Sequence, residues 1–223
     1  VEAQVDRVIL CDTVGVWTPQ SCVDAVQSVL AQHPELALGV HCHNDFGMAT
    51  ANTIAAVQAG AHSPTVTVNG IGERAGNASL IEVALASEEL LGRPTGLKRD
   101  HLVALSEEVE RLTGLIVPQH QPIVGFNAFR HESGIHVDGI LKDPTLYESL
   151  TPQTLGRQRA IVLGKHSGRA ALKQFAEQRG LPSDGVTIDR VLSKVKSMQP
   201  PRARDSFLAV RDAIDRYNET CLG

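Results

Sequence analysis

The chain has 223 residues, a formal net charge of −4 and 42% hydrophobic residues. This length can bury one large or two small cores, and the charge argues against a nucleic-acid partner. No apolar run approaches the roughly 20 residues that a membrane-spanning helix needs, so we expect no membrane partner. The four cysteines form neither a CxxC pair nor a disulfide framework, which predicts a reducing, cytoplasmic setting.

The first ninety residues alternate between short apolar strands and amphipathic helices. Residues 7–11 predict the first strand, and Thr18 and Pro19 predict a helix start, as N-cap and first helical residue. Two further strands are predicted in LALGVHC and PTVTVNG. Two further helices are predicted in ATANTIAAVQAG, ending near Gly60, and in SLIEVALASEELLG, ending at Gly92. This order indicates βα units and a parallel sheet.

Three βα units fill only part of an eight-unit barrel, which takes roughly 250 residues. The α/β pattern fits either a small open sheet or the C-terminal three units of a TIM (β/α)8 barrel whose first part is absent. The chain starts at Val1 rather than methionine, which is a first hint that a segment upstream is missing.

The rest of the chain predicts a small α-rich subdomain after the barrel part. Residues 1–93 hold the predicted βα units, 94–156 a predicted helix and a first subdomain, and 157–223 a helical second subdomain. Asp100 is the predicted cap of the linker helix. Short helices are expected in the tail segments RAIVLGKHSG, RAALKQFAEQRG, TIDRVLSKVKSM and ARDSFLAVRDAIDRYNETC.

His41 and His43, in GVHCHNDFG, end the second predicted strand. Residues two apart in a strand point to the same side, so both imidazoles can aim at one point while Cys42 faces away. Proteins built from βα units place their sites at the carboxyl ends of the strands. The pair is a candidate metal site, which would need further oxygen or nitrogen ligands. The alternative is that both histidines only form hydrogen bonds at the strand end.

The other two strands also end in compact polar groups. Asp12 and Thr13 follow the first strand, and the third leads into the glycine loop GIGERAGN. Asn77 in that loop could cap the next helix or offer its carbonyl oxygen to a metal. Glu73 and Arg74 could form a local ion pair or meet a charged substrate. Three polar strand ends together indicate a shared site.

Two more histidines lie in the segment FRHESGIHVDGILKDPTLYESL. His131 and His136 are five residues apart, which does not place them on one helix face, so we do not expect them to chelate together. Either could carry protons near neutral pH, or be a solvated or structural histidine.

These motifs resemble the acyl-CoA-dependent, metal-dependent TIM-barrel synthases that catalyse Claisen condensations. This family includes homocitrate synthase, 2-isopropylmalate synthase and citramalate synthase. The resemblance covers about residues 7–170, and the order of its motifs is DTVGVWTP, HCHNDFGMATAN, VNGIGERAGNASLIEVALA, FRHESGIHVDGILKDPTLYESLTPQTLGR and IVLGKHSG. The last two motifs look most similar to homocitrate synthases of the nitrogen-fixation type.

The resemblance implies that residues 1–93 form barrel strands six to eight and that 94–156 form a linker helix and first subdomain. It also implies roles for individual residues. His41 and His43 are implied to bind a divalent metal (Mg, Mn or Zn) at the end of barrel strand seven, and Asn77 to complete or border that site. Thr13 is implied to bind the carboxylate of a 2-oxo acid, and Glu73 is a further candidate for substrate contact.

The resemblance also implies the reaction and the partners. His136 would act in acid–base chemistry with Tyr147 nearby, both reaching into the partner's barrel in a swapped homodimer. Acetyl-CoA would condense with 2-oxoglutarate to give homocitrate. The alternatives are 2-isopropylmalate synthase, which takes 2-oxoisovalerate, and citramalate synthase. A non-catalytic alternative is a dimerisation or binding half of a two-chain protein.

Two features depart from the family pattern. The acidic ligand and arginine of barrel strand one, in a motif resembling LRDGEQ, do not occur in this chain. We therefore expect the chain alone to be inactive and to hold a metal weakly or not at all. Arg130 stands where the pattern tends to have a small residue, which changes the setting of His131.

Overall fold

The computed structural model describes residues 5–162, 167–177 and 180–197. The chain divides into two compact units between Gly125 and Phe126, inside the segment 94–156. The boundaries expected at 93 and 156 stay predictions. None of the helices in the described ranges is long and apolar enough to cross a bilayer.

The first unit holds a parallel sheet whose strands are each followed by a helix. The strand order is β1-β2-β3, and both pairings are parallel, which confirms the three predicted βα units. The elements are β1 (Val8–Asp12), α1 (Pro19–Gln32), β2 (Leu38–Cys42), α2 (Ala49–Ala59), β3 (Ser63–Thr65), α3 (Leu80–Leu91) and α4 (Arg99–Thr113).

β2 is the central strand, and the core of the first unit forms around it. Leu38, Val40 and Cys42 are fully buried and share one apolar cluster with Cys22 and Val26 of α1. A strand inside a βα sheet needs hydrogen-bonded neighbours on both edges and cover on its faces, and β2 has both. Among the strands of the described ranges, β1 by contrast pairs with β2 alone.

The helix boundaries of the first unit follow the predicted signals. The Thr18 hydroxyl accepts a hydrogen bond from the Ser21 amide at 3.2 Å, and Pro19 is the first residue of α1. α2 and α3 end at Gly60 and Gly92, both in the left-handed conformation that glycine adopts without strain.

Two local predictions in this unit are wrong. Asp100 does not cap the linker helix, because α4 begins at Arg99 and Asp100 lies in its first turn. The strand expected over PTVTVNG ends at Thr65. Beyond it, the Thr67 hydroxyl donates to the carbonyl oxygen of Ile71 at 2.7 Å and so favours a turn.

The second unit is mainly helical. Its elements are β4 (Arg130–His131), α5 (Gly134–Lys142), β5 (Ala160–Ile161), α6 (Arg169–Glu177) and α7 (Gly185–Ser197), with 3-10 turns at Pro144–Leu146 and Pro152–Leu155. The core includes Val137 of α5, Leu172 and Phe175 of α6, and Ile188 of α7.

The tail predictions have mixed outcomes. The described part of RAIVLGKHSG does not form the expected helix, since it contributes β5, which pairs in parallel with β4. Residues 163–166 of this segment lie outside the described residues. The helices expected in RAALKQFAEQRG and TIDRVLSKVKSM are confirmed as α6 and α7. The segment 203–221 lies outside the described residues.

A reciprocal side-chain contact joins the loop after β3 to α4. The Asn69 amide donates to the carbonyl oxygen of Ser106 at 3.0 Å, and the Ser106 hydroxyl donates to the Asn69 side-chain oxygen at 2.5 Å. Ser106 is 2% exposed, and Asn69 adopts a φ of 59°. The contact therefore gives the buried Ser106 hydroxyl a hydrogen-bond acceptor, and it also holds Asn69 in its left-handed conformation.

We predict that Ser106→Ala lowers the free energy of unfolding by about 1 kcal/mol, because the half-buried Asn69 oxygen loses its donor. Urea unfolding of the whole chain measures this change. Ser28→Ala, at an exposed position of α1, is the matched control and should change stability by less than about 0.5 kcal/mol. Equal effects of the two substitutions would contradict the role assigned to the contact.

Candidate active site

The two histidines of GVHCHNDFG meet at the carboxyl end of β2. Their Nε2 atoms are 3.2 Å apart, and the rings pack edge to face at 86°. Cys42 between them is fully buried in the core. Strand alternation therefore brings both imidazoles to one point.

The donor set fits a divalent metal. Two nitrogens 3.2 Å apart can both lie about 2.1 Å from a single ion, which is the usual distance for an imidazole ligand. Burial, and then the charge of His43, lower the pKa of His41, so its imidazole is neutral and able to bind metal near neutral pH. The described residues contain no group of three or more His, Cys, Asp or Glu side chains that could hold an ion.

Asn77 lies beside the histidine pair and does not cap a helix. α3 begins at Leu80 with Ser79 as its N-cap, so the capping alternative is wrong. An isolated β-bridge joins Asn77 to His43. The Asn77 side-chain nitrogen donates to the carbonyl oxygen of Ile71 at 3.2 Å, whereas its Oδ1 atom is buried without a partner. A buried carbonyl oxygen without a donor is a suitable further ligand for a hard cation.

Asp12 organises the loop after β1. Its carboxylate is 2% exposed and accepts hydrogen bonds from the amides of Val16 and Trp17, each at 3.0 Å. Its backbone oxygen also accepts from the amide of His43 at 3.4 Å. Asp12 thus shapes the loop and does not offer its carboxylate to a ligand.

Arg74 ties together the loops that follow all three strands. Its guanidinium donates to both carboxylate oxygens of Asp45, at 2.8 and 3.0 Å, and to the carbonyl oxygen of Thr13 at 2.8 Å. This hydrogen-bonded partner holds the pKa of Asp45 below its usual range. Of the alternatives for Glu73 and Arg74, the local ion pair is wrong, because Arg74 pairs with Asp45 instead.

Thr13 and Glu73 are both exposed at this edge of the sheet. Arg74 fixes the Thr13 backbone, and the Thr13 side chain remains open to solvent. Within the described ranges, the Glu73 carboxylate makes no hydrogen bond or ion pair. Both residues are therefore accessible to a small molecule.

His136 and Tyr147 lie together in the second unit. Their ring centroids are 4.4 Å apart with the planes tilted by 31°. Gly139, one turn after His136 on α5, makes this possible, since a Cβ there would lie 2.4 Å from the tyrosine ring. The structure thus pairs the two residues that resemblance alone selected.

His131 has a structural environment. Its Nε2 atom lies 3.1 Å from a carboxylate oxygen of Glu148, whose side chain is only 5% exposed. Arg159 binds the same carboxylate, and its hydrogen bond, followed by that of His131, holds the pKa of Glu148 below the usual range. Of the two histidines in this segment, His136 is the exposed one.

Residues 1–109 match the HMGL-like family, and residues 123–203 match the homocitrate synthase post-HMGL domain-like family. The chain belongs to the homocitrate synthase and 2-isopropylmalate synthase family. Its first unit is accordingly part of a TIM barrel, as predicted.

Relatives of the chain bear the names of two synthases. A putative (R)-citramalate synthase of Methanopyrus kandleri is 49% identical over 89% of this chain and 39% of its own length. Two proteins named for 2-isopropylmalate synthase, from Ignicoccus hospitalis and Sulfolobus acidocaldarius, are 44% and 46% identical. The match to the Ignicoccus hospitalis protein covers 98% of this chain and 55% of that protein. The match to the Sulfolobus acidocaldarius protein covers 89% of this chain and 51% of that protein. The chain thus spans about half the length of these relatives.

We predict that the chain binds Mn²⁺ weakly and that His41→Ala or His43→Ala lowers the affinity about tenfold or more. Each substitution removes one of two nitrogens that can reach the same ion. Isothermal titration calorimetry measures the affinity. His62→Ala, at an exposed position before β3, is the control and should bind like the unmodified chain. Mn²⁺ affinity that survives both site substitutions would contradict a metal site here.

We predict that Gly15→Ala destabilises the first unit more than Gly47→Ala. Both glycines are left-handed, with φ of 66° and 72°, so both substitutions carry a similar backbone strain. A Cβ at Gly15 would lie 2.4 Å from the Asp45 carboxylate that Arg74 holds, whereas nothing lies within 4 Å of one at Gly47. Thermal unfolding of both variants measures the difference, and equal midpoints would contradict the tight packing of Asp45.

Proposed function

We propose that this chain is the C-terminal part of an acyltransferase that condenses acetyl-CoA with a 2-oxo acid and then hydrolyses the thioester. The observation that carries the proposal is the His41–His43 pair with its nitrogens 3.2 Å apart beside the unpartnered oxygen of Asn77. In a chain of this family, such a nitrogen and oxygen donor set at the end of parallel strands suits metal-assisted carbonyl chemistry.

The first unit would bind the 2-oxo acid. His41, His43 and Asn77 would hold a divalent ion (Mg, Mn or Zn), which supplies Lewis-acid polarisation of the ketone. Thr13, exposed and held through its carbonyl by Arg74, would bind the carboxylate of the same substrate. The described residues lack an acidic ligand for this ion, so the complete site would need one from elsewhere.

The second unit would supply the acid–base group. His136 is exposed and rests against Tyr147, so its imidazole can exchange protons while the ring contact limits its orientation. Glu73 is a further candidate for substrate contact on the first unit. We propose that His136 and Tyr147 act in the barrel of a second subunit, in a cytoplasmic homodimer.

The acceptor has two candidates of different chemistry. The motifs FRHESGIHVDGILKDPTLYESL and GRQRAIVLGKHSG support 2-oxoglutarate and hence homocitrate, and closeness to the nitrogen-fixation type stays a prediction. The relatives' names instead favour citramalate synthase or 2-isopropylmalate synthase, and 2-oxoisovalerate, the acceptor of the second, carries less charge than 2-oxoglutarate.

The reaction can be tested by fusing this chain to the N-terminal part of the Sulfolobus acidocaldarius relative, which is 46% identical in the shared region. We expect the fusion to release free CoA thiol from acetyl-CoA only when a 2-oxo acid is present, and the chain alone to release none. The same fusion with His41→Ala and His43→Ala is the control and should be inactive. A folded, dimeric fusion without thiol release would contradict the proposed reaction and favour a binding or dimerisation role.

The acceptor needs a separate experiment, because an N-terminal part from a relative would bring its own specificity. The reading frame upstream of Val1 should encode the acidic motif that resembles LRDGEQ. The enzyme encoded by that extended frame should then be assayed with 2-oxoglutarate, pyruvate and 2-oxoisovalerate. Activity with 2-oxoisovalerate or pyruvate but not with 2-oxoglutarate would overturn the homocitrate assignment. A start codon at Val1 would favour a two-chain protein.

A further inference from the structure

Tyr147 lies at the end of a short turn that is closed by local hydrogen bonds. The Asp143 carboxylate accepts from the amide of Thr145 at 2.9 Å. The amides of Tyr147 and Glu148 both donate to the carbonyl oxygen of Pro144, at 3.1 and 3.0 Å. These bonds fix the path of the backbone through the turn. The Tyr147 side chain is 40% exposed, so burial alone does little to hold its ring in one orientation.

The next residue, Glu148, anchors this turn through its side chain. The carboxylate is only 5% exposed, in contrast to the tyrosine beside it. Arg159 donates to it through Nε at 2.7 Å and through a second guanidinium nitrogen, so that both carboxylate oxygens are bound. The Nε2 atom of His131 lies 3.1 Å from one of these oxygens. A buried carboxylate held at two points by a planar guanidinium keeps a single orientation.

The two partners of Glu148 are themselves fixed by backbone pairing. His131 is the second residue of β4, and Arg159 directly precedes β5. The two strands pair in parallel, with backbone hydrogen bonds of 2.9 and 3.0 Å at either side of the pairing. The Glu148 carboxylate therefore ties the turn that carries Tyr147 to this pair of strands.

The contact with His136 lies on the other side of the same turn. The ring centroids of Tyr147 and His136 are 4.4 Å apart, and Gly139 leaves the space that the tyrosine ring fills. His136 is exposed, so the neighbouring ring limits the orientations of its imidazole. A series of contacts thus leads from the buried Glu148 carboxylate through the turn to the imidazole.

We propose that Glu148 is a positioning residue that sets the orientation of Tyr147 and, through it, of the His136 imidazole. The carboxylate is buried and bound at both oxygens, so it acts through the turn and not by contact with a substrate. This inference rests on the acid–base role proposed for His136, because the transfer of a proton requires the imidazole to be held in a defined geometry.

The contact between His136 and Tyr147 can be measured on the whole chain without turnover. Stacking against an aromatic ring shifts the imidazole C–H resonance in spectra of the chain with isotope-labelled histidine, and His136→Gln assigns the signal. Tyr147→Leu gives the position of the resonance without the ring. We expect Glu148→Ala to move it more than halfway to that position. Glu148→Gln keeps the size of the side chain and one acceptor oxygen, and should move it less.

Two controls separate positioning from a general loss of stability. Glu177→Gln removes the same charge from an exposed carboxylate of the same unit, 3.8 Å from Lys173. Ile188→Val removes one carbon atom from the core of that unit and should lower the unfolding midpoint. Neither substitution should move the His136 resonance.

Three results would overturn the proposal. The resonance could stay in place in both Glu148 variants, it could move equally in Ile188→Val, or it could be unaffected by Tyr147→Leu. If Glu148→Ala does not fold by circular dichroism, Arg159→Lys takes its place. That variant keeps the charge but loses the two-point contact, and it should move the resonance in the same direction.

The fusion enzyme described above gives a second measurement. We expect Glu148→Ala to lower kcat about tenfold or more and to leave KM for the 2-oxo acid within about twofold, because the acceptor would bind on the first unit. A raised KM with unchanged kcat would overturn the proposal. An unsubstituted fusion that releases no thiol would contradict the proposed reaction alone, and the His136 resonance would still decide whether Glu148 positions the imidazole.

Discussion

The candidate site depends on the position of β2 between two parallel neighbours. Pairing on both sides fixes the register of this strand, with His41 opposite Cys11 of β1 and Thr65 of β3. Successive residues of a strand point to opposite faces. Cys42 therefore points into the core, and the two histidines point away from it. A slip of one residue would exchange these faces, placing the imidazoles in the apolar cluster. The hydrophobic core therefore sets the chemistry at the strand end.

The elements that follow local rules could be predicted from the sequence. Thr18 with Pro19, Gly60 and Gly92 mark helix ends through short-range backbone preferences, so each signal lies beside its effect. β3 is shorter than its β-branched residues suggest, because Thr67 turns the chain through a contact four residues on. The strand β5 could not be predicted from its local sequence, because its partner, β4, lies about thirty residues earlier in the chain.

Some contacts of the candidate site could be predicted from the sequence, and others could not. The convergence of His41 and His43 follows from their spacing alone. The contact between Arg74 and Asp45 joins residues 29 apart, and only the fold shows that Asp45, not the adjacent Glu73, is the partner. The burial of the Asp12 carboxylate against two amides likewise depends on how the loop closes. Resemblance selected His136 and Tyr147, but the space that Gly139 leaves for the tyrosine ring is a feature of the structure.

The unpaired side of β1 has a consequence for the behaviour of the chain in solution. Ile9 on this strand is 44% exposed and Val5 just before it is 52% exposed, and no described strand covers the outer edge. An apolar strand edge with free backbone donors and acceptors is a template for pairing with another chain. In a closed barrel the same edge would be internal. In isolation, the chain is therefore expected to self-associate and aggregate. Charged residues or a proline introduced at this edge would suppress that tendency.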